Sequence, residues 1–369
     1  MRGRGDRIFA DAVLAGARAA AEPARSRLIA HARAVSAPLS LVIRGRPGVG
    51  RHTVAAALRA AGLAAEVSCA GLHTGLHAGP RAGAGDLDVL VLAEVPKPED
   101  LAGPRPTLAV LAKADLAGLR PDGPMAAARR RAAQASALLG VPVIPLAAPA
   151  AVAGCDDSVL DADLLDALRV FVDEPADLGS PDAFVSGPHR VPVALRRLLL
   201  ATLDVFGIAE SVVALRTEPG AGAEAVRRRL RAVSGIDAVV GRIEAAGAEA
   251  RYRRVLQAVA GIEELAAAAT GVTGAASARA AAELLCDRDL VLGRMASATE
   301  VVRAAGFVMN PVMEPVTDPA GGDPGAHVRR AVRWRRYAAG PVSVLHQACG
   351  SDIARGCLHL AATVEGERR

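Results

Sequence analysis

The sequence predicts an α/β domain with a doubly wound, mainly parallel sheet, followed by a second domain that is all-helical. Three observations carry this. Between residues 38 and 175, short and nearly continuous apolar runs alternate with longer stretches of helical period, the pattern of strands buried on both faces of a parallel sheet. A Gly-, Pro-, Ser- and Asp-rich stretch at 176–192 ends the alternation. Beyond it the apolar positions are helical, as at Leu195, Leu198, Leu199, Thr202, Leu203 and Phe206, spaced i, i+3, i+4, i+7, i+8 and i+11. The organisation read from this is helices over 1–37 that pack on the helical domain, an α/β domain over 38–175, a linker over 176–192 and a helical domain over 193–369.

Residues 4–35 read as one or two helices broken at Glu22-Pro23, with Phe9 and Val13 four apart and Leu28, Ile29 and Ala32 as a second apolar face. Strands follow at 39–43, 64–69, 87–93, 106–111 and 141–146. Helices are expected at 54–61, 125–139 and 161–172. The segment 70–85 holds five glycines and reads as a loop, and Pro96, Pro98 and Pro104 mark another. In the second half, helices are expected at 208–216, 223–233, 236–268, 276–285, 289–305, 327–338 and 342–364. A Pro/Gly-rich loop covers 310–325.

The chemistry-bearing stretch is the turn after the first strand, Gly45-Arg46-Pro47-Gly48-Val49-Gly50-Arg51-His52-Thr53. Its glycine spacing fits G-x-x-x-x-G-K-[ST], the P-loop, in which backbone N–H groups and a helix N-terminus cradle an anionic phosphate. Phosphate-binding residues are therefore expected among Gly45, Pro47, Gly48, Val49, Gly50, Arg51, His52 and Thr53, in a P-loop NTPase-like domain. Two positions depart from the pattern. Arg51 stands in the Lys slot, and a planar guanidinium does not replace a compact ammonium between phosphates. His52 stands in the slot of the hydroxyl that ligates magnesium, an ion that takes oxygen donors, which argues against a magnesium site. The competing reading is a plain Gly/Pro turn joining a strand to a helix.

Composition narrows the classes. Hydrophobic residues make up 51% of the 369 and aromatic residues only 2%, so the core must be built from Ala, Val and Leu. The net charge of +5 is spread among 39 acidic and 44 basic residues without a domain-wide basic excess, which argues against nucleic acid as a partner. Arg outnumbers Lys 42 to 2, so Arg clusters carry less functional weight here than elsewhere. The five cysteines, Cys69, Cys155, Cys286, Cys349 and Cys357, show no metal-ligand spacing and suggest a reduced, cytoplasmic protein without a metal site. No signal-peptide core follows the basic N-terminus. The long uncharged run at 132–155 is interrupted by Pro142, Pro145 and Pro149 and reads as the end of a helix, a buried strand and a loop, so no transmembrane segment is expected. No Ser-His-Asp set, HExxH or carboxylate pair can be defended, and no catalytic residue is assigned. His346, Cys349, Cys357 and His359 read as packed helix rather than zinc ligands.

The order of strand, P-loop, then Leu108-Ala109-Val110-Leu111-Ala112-Lys113-Ala114-Asp115, then the strand leading to Ala147-Ala148, resembles the TRAFAC-class GTPases of the Era and dynamin-like type. In that family an NKxD motif reads guanine, its Asp accepting from the base edge and its Lys stem lying over the ring. Here Lys113 and Asp115 match and Ala112 fills the Asn slot, while Ala147 and Ala148 occupy the place of the SA motif, whose backbone amides meet the guanine oxygen. Residues 206–208, 234–239 and 251–256 are similar to the region after the GTPase domain of bacterial dynamin-like proteins. The family's DxxG motif has no counterpart in 70–85, where Thr74 is the candidate switch threonine, and Asp86 and Asp88 lie at a strand start. The resemblance implies GTP or GDP binding with hydrolysis slow or absent. The alternatives are a pseudo-GTPase scaffold that binds no nucleotide, and an AAA+-like ATP-binding protein in which residues 89–94, with Ala93 and Glu94, stand for a Walker B strand.

The resemblance also implies pairing through the nucleotide face, with a second P-loop GTPase or another copy of the chain, through the loops at 70–85 and 95–106. A different surface is the segment Arg329, Arg330, Arg333, Trp334, Arg335, Arg336 and Tyr337, which could meet acidic lipid peripherally. Against that stands a solvated helix face whose Trp anchors into the bundle.

Overall fold

The computed structural model describes residues 3–71, 85–118, 122–218, 220, 222–268, 271–307 and 323–368. Its contacts divide the chain into two units, Leu39–Ile243 and a helical unit of Met1–Pro38 with Glu244–Arg369.

The helical unit opens with α1 (Arg4–Ala17) and α2 (Ala24–Ser36), separated at Glu22-Pro23 as the proline requires. The first unit then contains β1 (Leu39–Gly45), α3 (Arg51–Ala60), β2 (Ala65–Gly71), β3 (Leu87–Leu92), α4 (Pro98–Leu101) and β4 (Leu108–Leu111). After β4 come a single 3-10 turn (Ala114–Leu116), α5 (Pro124–Leu139), β5 (Val143–Pro145), α6 (Ala148–Cys155), α7 (Ala162–Asp173), α8 (Pro181–Ser186), α9 (Val193–Thr217) and α10 (Ala223–Ser234). All five strands pair in parallel in the order β2-β1-β3-β4-β5, with Ile43 opposite both Cys69 and Val89, and Val89 opposite Leu108. The fold is α/β as the apolar runs predict. Strand residues alternate between the two faces. Leu41, Ile43, Val89 and Val91 share one, and Leu90, Leu92, Ala109 and Leu111 share the other, where they join one apolar cluster with Met125, Ala128 and Ala132 of α5.

The expected boundary at 176–192 is corrected. That stretch is no bare linker, because α8 buries Phe184, its ring 5.5 Å from that of Phe171 on α7. Buried Arg196 fastens the segment by donating to the carbonyls of Phe184, Gly187 and Val191. Leu199, Leu203, Ile208 and Val212 of α9, with Val226 and Leu230 of α10, complete the core of the α/β unit. The helical half therefore begins near Glu244 and not at 193, since the helices between serve the α/β core. A second correction concerns the end of the 132–155 run, expected as a loop. It is α6, with Pro149 tolerated in the first turn, where its missing N–H costs nothing. By length and composition α9 is the one helix among the described residues able to cross a membrane; 44% of its apolar window is buried in the protein core.

The helical unit continues with α11 (Ile236–Ala267), whose first turns belong to the other unit, then α12 (Gly271–Leu285), α13 (Arg288–Ala304), α14 (Pro324–Ala338) and α15 (Val344–Arg368). α14 packs on α15, α15 on α13, α13 on α1, and α1 on α2 and α12. Small residues permit this close packing: a Cβ at Gly293 would lie 2.6 Å from the Phe9 backbone nitrogen, and one at Gly5 2.5 Å from that of Ser297. The core holds Phe9, Val13, Leu28, Tyr252, Met295 and Trp334. Two polar knots sit within it. Asp352 accepts from Arg294 at 2.6 Å and from the Tyr252 hydroxyl at 2.9 Å, and Asp6 accepts from Ser297 at 2.8 Å and pairs with Arg251 at 3.2 Å. The two N-terminal helices belong to this unit.

Candidate functional site

In a doubly wound sheet of order 2-1-3-4-5, the crevice for a ligand opens beyond the carboxyl ends of the strands where the order reverses, between β1 and β3. The glycine turn leaves β1 at that point. Gly45 is required there: a Cβ would lie 2.7 Å from the Val91 carbonyl oxygen and 3.0 Å from Val49 Cγ2. Gly48 and Gly50 have φ of 79° and 95°, left-handed values that a side chain resists, and Gly50 occupies the N-cap of α3. No side chain caps α3. The amides of Arg51, His52 and Thr53 thus belong to the first turn, whose donors have no partner within the helix. Val49 is buried beneath the turn, and Arg46 at its start is held 3.2 Å from the wholly buried carboxylate of Asp100, which also accepts from the Lys97 amide at 2.9 Å.

Arg51, the residue in the Lys slot, does not reach over the turn. Its guanidinium donates to the Ala70 carbonyl at the end of β2, while its own carbonyl lies 3.9 Å from the Cys69 thiol. His52 and Thr53 are exposed.

The second candidate motif lies against the first. A Cβ on Gly50 would be 3.8 Å from the Cβ of Ala112, the residue ahead of Lys113. The Ala112 amide donates to the Leu92 carbonyl and the Ala114 amide to that of Leu146, so the ends of β3, β4 and β5 are tied together. Lys113 is exposed and left-handed at φ 53°, which turns the chain sharply into the 3-10 turn. Asp115 follows half-buried, and its Oδ1 has no hydrogen-bond partner. Burial pushes its carboxyl above the usual range and the nearby Asp204 adds to the rise, while its own amide and Lys113 oppose it. A cavity of about 530 Å³ beside it is lined by Ala93, Glu94, Val95, Lys113, Leu116 and Arg131.

Two sequence expectations are adjusted here. The amide of Ala147 donates to the Ser234 carbonyl at 3.0 Å and is not free to meet a base; Ala148 opens α6 as its first residue. The partner comes from the end of α10, far along the chain, which no local motif announces. Asp86 and Asp88 are both engaged at the base of the sheet, the first by Ser40 and the second by Arg44 at 2.7 and 2.8 Å. Thr74 and most of the glycine-rich loop lie outside the described residues. Among those described, no group of three or more His, Cys, Asp or Glu could hold a metal ion.

Sequence reasoning missed Asp204. It interrupts α9 with φ 58° and ψ 172°, a region that is essentially glycine's, and its carboxylate accepts from the Val205 amide at 2.7 Å. The only hint in the sequence is an acidic residue inside an otherwise apolar helical stripe. In the helical unit Trp334 is buried among Phe307 and Tyr337 with ring centroids 5.9 and 5.3 Å away, while Arg329, Arg333, Arg335 and Arg336 are exposed and Arg330 is half-buried.

No family model, curated protein or solved structure matches this chain.

Proposed function

We propose that the α/β unit is a P-loop domain that binds a guanine nucleotide, GTP or GDP, and turns it over slowly or not at all. The observation that carries this reading is the closeness of the two motifs: a Cβ on Gly50, at the tip of the glycine turn, would lie 3.8 Å from that of Ala112, so the turn stands beside the segment that carries Asp115, a half-buried carboxylate with an unused acceptor. The amides of Arg51, His52 and Thr53 with the α3 N-terminus would hold the phosphates. Asp115 would accept from the N1–H and amino group of guanine, with the Lys113 stem over the ring and the Ala148 amide toward the oxygen. Adenine offers no donor pair in that place, and a site built on a buried acceptor rejects it through the acceptor left unpaired.

The residues present do not fit magnesium, because the hydroxyl slot is filled by exposed His52. No step of hydrolysis is routed through the ion. What this chain does in its place is position the nucleotide, with neither a lysine between the phosphates nor a carboxylate to orient water. Equilibrium binding of a fluorescent GDP, with the adenine analogue as control, tests the reading. Guanine-selective binding supports it and equal binding of both sinks it. Robust GTP hydrolysis abolished by Gly50→Val would contradict the low turnover.

A second reading, a nucleotide-free pseudo-GTPase scaffold, draws on the tether of Arg51 to Ala70, which keeps the cation at the start of α3 away from the cradle. Absence of binding for either nucleotide would favour it. The AAA+-like reading leaves Lys113 and Asp115 without a task.

A further inference from the structure

The helical unit carries two complementary surfaces on different helices. On the first, α1, α12 and α13 enclose a groove of about 580 Å³. Its apolar lining includes Ile8, Ala12 and Leu284, and its rim is acidic, with Asp11, Glu283 and Asp289 exposed beside a single cation, Arg4. On the second, α14 turns Trp334, Ala331 and His327 inward and leaves Val328 and Val332 about half exposed, at 44% and 47%. Arg329, Arg333 and Arg336, spaced i, i+4 and i+7, run alongside this valine ridge.

We propose that the groove of one copy receives α14 of a second copy, as a basic amphipathic helix laid into an acidic-rimmed apolar groove. Three features select this occupant. The valine ridge matches the apolar floor, and the Arg stripe matches the sign of the rim. Trp334, the residue that would anchor the helix in a lipid interface, is wholly enclosed by the bundle, which leaves two valines as the apolar contribution to any membrane contact. α14 packs on α15 and takes no part in lining the groove, so donor and acceptor are separate surfaces of one copy. The contact is therefore heterologous: each copy offers one helix and one groove, and copies add head to tail. The proposal is independent of whether the α/β unit binds nucleotide.

Sedimentation of the full chain at low ionic strength tests it. The wild type should self-associate beyond a dimer, and the association should weaken with added salt as the charges are screened. Arg329→Gln/Arg333→Gln/Arg336→Gln and, separately, Asp11→Asn/Glu283→Gln/Asp289→Asn should each weaken it at least ~10-fold. Asp287 is left intact because its carboxylate caps α13. Each variant keeps one native surface, so an equimolar mixture should form a dimer and nothing larger, a result that misfolding of either cannot produce. A wild type that stays monomeric, or a mixture without the dimer, overturns the proposal. Wild-type binding to phosphatidylserine vesicles that the Arg variant loses, without self-association, would overturn it in favour of a lipid surface.

Discussion

The turn after β1 and the turn after β4 lie close at Gly50 and Ala112, and on the proposed reading they hold opposite halves of a nucleotide site. After β1 the backbone is kept and the side chains are not: Gly45, Gly48 and Gly50 hold the shape, while Arg51 points to β2 and His52 to solvent. After β4 the side chains are kept and the neighbouring amide is not, since Asp115 retains a free acceptor and the Ala147 amide is taken by Ser234. Phosphate can be held by amides and a helix terminus alone, so side chains there can drift without loss of binding. A base is told apart by side-chain hydrogen bonds, so Asp115 cannot drift in the same way.

The largest effect that would break this comparison is expected at the base side. Asp115→Asn should weaken GDP binding by about 100- to 1,000-fold, roughly 3–4 kcal/mol, and improve binding of the xanthine nucleotide, whose edge offers an acceptor to the new amide. Titration with both fluorescent nucleotides measures the exchange. Loss of affinity for both would assign Asp115 to structure instead of to base reading.

On the phosphate side the backbone should be the sensitive part. Gly45→Ala brings a methyl within 2.7 Å of the Val91 carbonyl and should cost about 2–3 kcal/mol of stability, seen as a lower urea midpoint. His52→Ala, at an exposed position, should leave the midpoint unchanged within about 0.5 kcal/mol. If the two behaved alike, the division between backbone and side chain would fail.

Both turns were legible in the sequence because each is local: glycine spacing fixes the first, and one of only two lysines marks the second. What escaped reading depends on chain that arrives from afar. The Ser234 carbonyl on Ala147, the Ala70 carbonyl on Arg51 and the Phe184 contact with Phe171 join segments whose separation leaves no periodic trace. The domain boundary was misplaced for the same reason. The period of α9 shows that it is amphipathic, and only the fold shows that its apolar side serves the sheet.

Asp204 sharpens the comparison as a residue that strains the α/β unit next to the base side. Asp204→Gly should relieve the left-handed backbone and raise stability by about 1 kcal/mol, the strain removed less the extra chain entropy of glycine. Thermal unfolding measures it. A fall in stability would mean that the carboxylate's bond to Val205 outweighs the strain.

The smallest effect is electrostatic and separates the two turns by their response to acid. Burial first, and then Asp204, raise the Asp115 pKa, so the folded protein holds that proton more tightly than the unfolded chain does. The empty protein accordingly loses this contribution to stability as pH rises from the ordinary carboxylate range through the raised value, and is level above it. Guanine binding needs the ionised carboxylate and runs the other way: affinity for GDP should be constant near neutrality. Below the raised pKa it should decline, by at most about tenfold per pH unit. Asp204→Asn removes one of the two causes of the rise, so the decline should begin at lower pH, with affinity at neutral pH nearly unchanged. Inorganic phosphate, which on the proposed reading the amides after β1 would hold, should show no such displacement when the same substitution is made. A GDP profile that does not move in Asp204→Asn would mean that the two carboxylates are not coupled, and Asp115 would then be raised by burial alone.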